Sequence, residues 1–448
     1  MHHRSLALVG FVAAAFFNPL AAPLAAQQDV EGVRIGLTYD PTSKPGIVVL
    51  PVAGPAGDSI RTILQRDFDY GDRINVIGGQ GNELNVPPGA GGAQNYAFYA
   101  RLGATGLVEA TSAAGGSLTV RVHDVNRQNV ARTRTFQLPS TTLSSEWRLA
   151  VHAVADEIEA WVTGVRGIAA SRIAYTTNGR IRLVDSDGHV VNTIAGDGIA
   201  LSPSWHPTGR FVAFSLLQDD GARIVIHDVE AGTSRIHPHT RRGTNMVPVF
   251  SPDGSNLAYA VADDGGTDIY MTAAFATGPV RRLTVSRGRI STSPTFSPDG
   301  RRIAFTTDRV GNPEVYVSGI DGSNPEQLTP FQFGDQSYRS NPSWSPDNQS
   351  VAFQSRVNGV FQIVVQGLRD RRVRQVTSDG QNEDPSWAPD GRHIVFTSTR
   401  SGSRQLWILD SETGRARQLT RDAGARLASW SGHLGGRFTA APQSGGVN

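Results

Sequence analysis

The sequence predicts an α/β N-terminal domain followed by an all-β six-bladed propeller, on three observations. A phrase made of an aromatic residue, a tight Pro-containing turn and an apolar triplet recurs about every 45 residues, centred on Trp205, Phe250, Phe296, Trp344 and Trp387. Each copy is followed by a third apolar run and a short fourth one, and four strands per repeat of this length make a propeller blade. Between about residues 46 and 165 the pattern changes to strands alternating with helices, as in a separate α/β domain.

In chain order, His2, His3 and Arg4 precede an apolar stretch from Leu6 to Phe17 and small residues up to Ala25-Ala26. The apolar run falls short of the roughly 20 residues that a bilayer span needs. Residues 1–26 are therefore expected to be a secretory signal peptide cut near Ala26, which would place the mature chain outside the cytoplasm. Residues 27–45 form a linker containing a strand-like segment, Val33-Arg34-Ile35-Gly36-Leu37, set off from Ile47 by the turn formers Asp40-Pro41 and Pro45-Gly46. Two readings stand: a terminal strand of the next domain, or a strand lent to the edge of a partner's sheet.

The domain over residues 46–165 opens with a buried strand, Ile47 to Leu50. Asp58-Ser59 is expected to cap a helix that carries Ile60, Ile63, Leu64 and Phe68 on one face. Ile74 to Ile77 reads as a strand, Pro87 to Gly92 as a flexible Gly-rich loop, Asn95 to Leu102 as a helix and Gly106 to Ala110 as a strand. Leu118 to Val122 has one wet face, and Ala131 to Phe136 pairs back on it. Trp147, Val151, Val154, Ile158 and Trp161 then recur at helical spacing, giving a helix from about Ser145 to Thr163.

Residues 168–432 hold the blades. The turns read His206-Pro207-Thr208-Gly209, Ser251-Pro252-Asp253-Gly254, Ser297-Pro298-Asp299-Gly300, Ser345-Pro346-Asp347-Asn348 and Ala388-Pro389-Asp390-Gly391. Proline fixes φ at the first corner, Asp bonds the backbone ahead of it, and Gly or Asn tolerates positive φ at the exit. Each turn delivers an apolar triplet such as Leu257-Ala258-Tyr259 or Ile394-Val395-Phe396. The ends of the region complement each other: Trp430 begins a blade that lacks its second strand, and Ile173-Ala174-Tyr175 is a second strand that lacks its first. A last blade shared between the two ends closes the ring at six and leaves no open sheet edge. Residues 433–448, rich in Gly, Ser and Ala, are expected to be a disordered tail.

Composition narrows the chemistry. There is no cysteine, so neither a disulfide framework nor an N-terminal lipid-bearing Cys is available. A net charge of +2 is too small to imply nucleic acid. Gly57-Asp58-Ser59-Ile60 has the look of a hydrolase nucleophile block, and Asp390-Gly391-Arg392-His393 offers an acid and a base. Asp390, however, is the turn residue of a blade, and Ser59 is explained as a helix start, so no catalytic residue is assigned. His237-Pro238-His239 has no carboxylate or thiol nearby and reads as a solvated loop. Asp185-Ser186-Asp187-Gly188 lacks the third acidic ligand and closing Glu of a calcium loop and reads as a turn, so no metal and no cofactor is expected. Trp205, Trp344, Trp387 and Trp430 share the repeat's aromatic position with Phe250 and Phe296, an interchange that indicates packing between blades rather than sugar stacking.

Beyond the repeat phrase, several stretches resemble the TolB family, the periplasmic propeller component of the Tol-Pal envelope system. They are Val33-Arg34-Ile35, the junction from Leu149-Ala150-Val151-His152 through Asp156-Glu157 to Thr163-Gly164-Val165-Arg166-Gly167, Arg172-Ile173-Ala174-Tyr175, and Thr306-Thr307-Asp308-Arg309-Val310-Gly311-Asn312-Pro313-Glu314-Val315-Tyr316. The resemblance implies a monomeric periplasmic scaffold that does not span the membrane and is not an enzyme. Its N-terminal strand, here Val33, Arg34, Ile35, Gly36 and Leu37, would bind the inner-membrane protein TolA. Loops just before the innermost strands, at the propeller mouth, would bind Pal, the peptidoglycan-associated lipoprotein. On the repeat these fall at Thr244, Asn245, Met246 and Val247, at Thr292 and Ser293, at Ser340 and Asn341, and at Glu383 and Asp384. The chain departs from the family at Ser293, where an acidic residue is common, and at Thr244-Asn245, where a His-Asn pair is common. The alternative is a periplasmic propeller hydrolase or carbohydrate binder of the same architecture, which would show converging polar residues in a pocket.

Overall fold

The computed structural model describes residues 44–78, 94–194, 196–238, 243–329 and 337–439. The expected signal peptide, the segment Val33 to Leu37 and the Gly-rich stretch Pro87 to Gly92, read as a loop, lie outside the described residues.

The α/β domain is a five-stranded sheet in the order β2-β1-β3-β4-β5, with β1 (Gly46–Val49), β2 (Asn75–Val76), β3 (Gly106–Ser112), β4 (Ser117–Asp124) and β5 (Asn129–Gln137). The first three strands are parallel and the last two return as an antiparallel meander. Helices α1 (Gly57–Tyr70) and α3 (Ser145–Thr163) cover one face, where Ile60, Leu64, Phe68, Val151, Val154 and Ile158 join Val49, Val108 and Val120 in one core. Helix α2 (Tyr96–Arg101) covers the other face with Tyr99. Its start is fixed by Asn95, whose side chain accepts from Phe98 N at 3.1 Å, and α3 starts the same way at Ser144, which accepts from Trp147 N at 3.2 Å. Helix α1 differs from expectation. It begins at Gly57 after Ala56 at φ 56°, so Asp58 and Ser59 lie inside its first turn rather than capping it. The Asp58 carboxylate there still complements the positive end of the helix.

Six four-stranded sheets follow, and they make the propeller. Blades 1 to 5 have the innermost strands Ile199–Trp205, Thr244–Phe250, Ser291–Phe296, Arg339–Trp344 and Asn382–Trp387. Blade 6 is the shared one: Arg426–Trp430 from the end of the chain pairs with Arg172–Thr177 from the start, with Trp430 opposite Ile173. Every repeat aromatic is buried at its blade junction; Trp430, for instance, packs with Ile173, Val395 and Leu406 and donates its indole N–H to Ser171 Oγ at 2.7 Å. Fully burying a side chain of this size stabilises the ring by about 2–3 kcal/mol.

The chain after Trp430 corrects an expectation. Residues 433–439, assigned to a disordered tail, fold back onto the α/β domain and end in α4 (Gly436–Thr439). Leu434 and Phe438 pack against Leu149, Ala153 and Ala170, and Leu434 N donates to Ala170 O at 2.8 Å. A Cβ at Gly435 would sit 2.6 Å from that of Ala153, so only glycine allows the approach. Two apolar anchors outweigh the composition of the stretch.

Candidate functional site at the propeller axis

All innermost strands run the same way, so the ring has two unlike ends. At one end lie the turns that close these strands, together with the α/β domain. At the other, the mouth, lie the starts of the innermost strands.

The first end is a buried ionic seam. Arg73 meets Asp390 at 2.9 Å; His393 meets Asp390 at 2.8 Å and Asp72 at 3.4 Å; Arg415 meets Asp72 at 2.7 Å. Beside it, Arg66 and Arg148 both bond Asp187, and Arg172 bonds Asp185 at 3.1 Å. Helix α3 contributes His152, whose Nδ1 lies 2.7 Å from Asp67 Oδ2. Burial works against charge on Asp390, but His393 and Arg73 hold its carboxyl well below the usual range. Asp72, His393 and Asp410, and likewise His152, Asp185 and Asp187, come close enough to suit a metal ion. Guanidiniums already meet Asp72, Asp410, Asp185 and Asp187 and supply the positive charge a cation would bring. Asp390 and His393 are thus occupied in joining two domains, while Ser59 sits in the first turn of α1. Asp185 and Asp187, read as an ordinary turn, are part of the same joint. His237, read as solvated, is 2% exposed and its Nε2 lies 3.0 Å from Ala273 O.

The second end holds the residues picked out for partner binding, but they lie in the innermost strands and not in loops ahead of them. Thr244, Asn245, Met246 and Val247 belong to Thr244–Phe250; Thr292 and Ser293 to Ser291–Phe296; Ser340 and Asn341 to Arg339–Trp344; Glu383 and Asp384 to Asn382–Trp387. Asn245 is fully buried, its amide donating to Ala222 O and Gly243 O, so it holds the strand rather than facing the bore. Each strand carries a β-bulge three residues before its aromatic. The bulge residues are Ser202, Val247, Ser293, Asn341, Asp384 and Leu427, all with φ between 51° and 54°. Five are followed by proline, which has no N–H for the ladder, and a bulge is where a strand tolerates that loss.

These six residues line one cavity on the axis, of about 170 Å³. Ser202 and Leu427 complete the ring and escaped the sequence reading, although the offset of three from Trp205 and Trp430 marks them. Neighbouring blades stitch the bulges in place: Val247 N donates to Ser215 Oγ at 3.1 Å, Asn341 N to Thr306 Oγ1 at 3.1 Å and Asp384 N to Gln354 Oε1 at 3.0 Å. On one side the lining is a polar arc, with Ser293 Oγ donating to Asn341 Oδ1 and Asn341 Nδ2 to Asp384 Oδ1, both at 2.8 Å. Burial raises the Asp384 carboxyl above its ordinary pKa, with Glu383 adding to the effect, against hydrogen bonds from Asn341 and Thr397. Val247 and Leu427 make the rest of the bore partly apolar. Around the mouth, Ile199, Leu217, Ile290, Val310, Tyr338 and Val360 are between 39% and 49% exposed. Such a rim suits a protein surface.

The TolB beta propeller domain model matches residues 160–434, more than half of the chain. The chain belongs to the TolB propeller family. It is 32% identical to the Tol-Pal system protein TolB of Alcanivorax borkumensis over 36% of this chain and 38% of that protein. It is 28% identical to the one of Gluconobacter oxydans over 60% of each. The matches thus span less than two thirds of the length of these relatives. The crystal structure of TolB from Acinetobacter baumannii superimposes with a TM-score of 0.76 at 23% identity, covering 87% of this chain and 97% of that one, which shows the shared fold. No helix among the described residues is long and apolar enough to cross a membrane.

Proposed function

We propose that this TolB-family chain is a non-catalytic, periplasmic protein-binding scaffold of the Tol-Pal system. Residues Val33 to Leu37 would engage a TolA-like inner-membrane protein, and the propeller mouth a Pal-like peptidoglycan-associated lipoprotein. Linking the two would support outer-membrane integrity and constriction during division. The observation that carries the reading is the mouth itself: a bore with one carboxylate among serines, threonine, asparagine and apolar residues, within an exposed apolar rim, on the end that the α/β domain leaves open. That lining offers breadth and shape rather than converging acid, base and nucleophile. The polar bulge residues would set register on the partner, and the rim would supply most of the buried apolar area.

Partner occupancy follows mass action, and any coupling between the two sites is reciprocal in free energy. A pull-down from solubilised envelopes, with the mature chain and with a form lacking residues 27–38, tests the scheme. Both forms are expected to retain a peptidoglycan-bound lipoprotein, and the full form alone an inner-membrane partner. Retention of neither would sink the reading. Replacing Val310 and Val360 by Asp in the mouth rim is expected to remove the lipoprotein only.

A further inference from the structure

In blades 1 to 5 the turn after the innermost strand carries a residue of positive φ, and three of its four glycines are covered. A Cβ on Gly254 would lie 2.1 Å from His206 Nε2, one on Gly209 2.1 Å from Leu434 Cδ2, and one on Gly391 3.6 Å from Asp347 Cγ. At Gly300, between blades 2 and 3, nothing lies within 4 Å. Between Gly254 and Gly300 the difference traces to two positions of the preceding blade. In blade 1 these are His206 and Phe211: the imidazole packs edge-on against Phe250 at 4.9 Å and Phe211 at 5.6 Å, with Nε2 3.3 Å from Gly254 O. In blade 2 they are Ser251 and Asn256, and Ser251 Oγ turns back onto Asp253 Oδ1 at 2.5 Å. The missing ring leaves a cavity of about 410 Å³, floored by Met271, Phe296 and Ile320, walled by Pro252 and Pro298, and edged by Asp253 and Asp299.

We propose that this notch is a second docking site, distinct from the mouth, which takes an aromatic side chain of a partner protein with a basic residue beside it. The ring would lie where His206 lies one blade earlier, against the Phe296 ring and the Met271 thioether, both of which favour an aromatic neighbour. The basic residue follows from charge complementarity: two carboxylates edge the notch and no basic residue lines it. Both carboxylates are held ionised, since hydrogen bonds from Ser251 and Ser255 lower the pKa of Asp253 and those from Ser297 and Arg301 N lower that of Asp299. The notch opens on the end of the ring that carries the turns. The ion pairs of the α/β domain at that end go to blades 5 and 6, away from blades 2 and 3.

The methionines provide the test. Of the three, Met1 falls in the signal peptide, Met246 lies on a mouth strand and Met271 lies in the notch. Mature protein labelled with ¹³C at the methionine methyl groups is titrated with the blocked peptides Gly-Trp-Arg-Gly, Gly-Trp-Glu-Gly and Gly-Ala-Arg-Gly. The Trp-Arg peptide is expected to shift Met271 saturably while Met246 stays in place, and to bind about fivefold more tightly than the Trp-Glu peptide, the weight of one exposed charge pair. The Ala-Arg peptide is expected to leave Met271 unmoved. Ser251→His, which supplies the ring that blade 1 has, should abolish the response with the Met246 signal unchanged. Asp299→Asn, which keeps the turn, should keep the response to tryptophan and shrink the Arg-over-Glu preference. An unmoved Met271, an undiminished response in folded Ser251→His, or equal binding of the Arg and Glu peptides overturns the proposal. A shift of Met246 alone overturns it too and assigns the peptide to the mouth, so failure at the notch is read separately from failure at the mouth.

Discussion

His152 sits fully buried on α3, and the carboxylates of Asp67, Asp187 and Asp185 outweigh the burial that opposes its charge, pushing its pKa up to about 9. The folded imidazole therefore holds its proton more tightly than the unfolded one. The stabilisation is complete below pH 6.5 and disappears as pH rises through about 9. Replacing His152 by Leu leaves Asp67 as a buried carboxylate without its partner, and urea unfolding at pH 7 should show a loss of about 3–5 kcal/mol. Glu159, further along α3, has one carboxylate oxygen without a hydrogen bond and Arg73 only at 3.8 Å. Burial, with Asp156 beside it, pushes its pKa up from 4.5 to about 8. Since the folded state keeps a proton there that the unfolded chain loses, this group lowers stability as pH rises between those values. Glu159→Gln should thus flatten the fall in Tm between pH 5 and 8, read by thermal melts across that range. An unchanged slope would mean that the group is ionised in the seam.

At the scale of the element, the bulged strands hold six residues in the left-handed region, among them Val247 at φ 52°. A β-branched side chain is the least suited to that conformation, and such strain persists where the surroundings impose it. Here Ser215 Oγ fixes the Val247 amide and Pro248 follows it. Val247→Gly should raise stability by about 1 kcal/mol in chemical unfolding, because the left-handed cost to an L residue is relieved. It should at the same time weaken retention of the proposed Pal-like partner, because Val247 lines the bore. If instead the variant is destabilised, the methyl groups of Val247 contribute more by packing than its backbone loses.

At the scale of the molecule, the ring is closed by a single strand, Arg426–Trp430, and the first domain is fastened to it by ion pairs that cross some three hundred residues of sequence, such as Arg73 to Asp390. Both features couple distant parts into one folding unit. A chain ending at residue 425 loses the innermost strand of blade 6 and exposes the edge of Arg172–Thr177, so calorimetry should show loss of the cooperative transition rather than a small shift. Trp430→Ala, which keeps the strand, should cost about 3–5 kcal/mol and leave one transition. Two well-separated transitions in the full chain would show that the seam is weaker than its burial suggests.

Repeat spacing, turn chemistry and apolar triplets are local properties, and they determined the number of blades, the four strands of each and the closure by the chain ends. The long helix from Ser145 to Thr163 was legible for the same reason, since its apolar spacing and its Ser144 start lie within one stretch of sequence. What only the tertiary structure decided depends on residues that meet across the chain. Asp390 reads as a turn residue until Arg73 and His393 are seen converging on it. The Asp185 to Gly188 stretch reads as an ordinary turn until α1 and α3 bring Arg66, Arg148 and His152 to it. Leu434 and Phe438 read as part of a small-residue tail until Ala153 and Ala170 are found beneath them. The bore is an intermediate case. Its residues stand at a fixed offset from the repeat aromatic, but only the bulge, which departs from the period of two that sequence patterns assume, turns them to the axis.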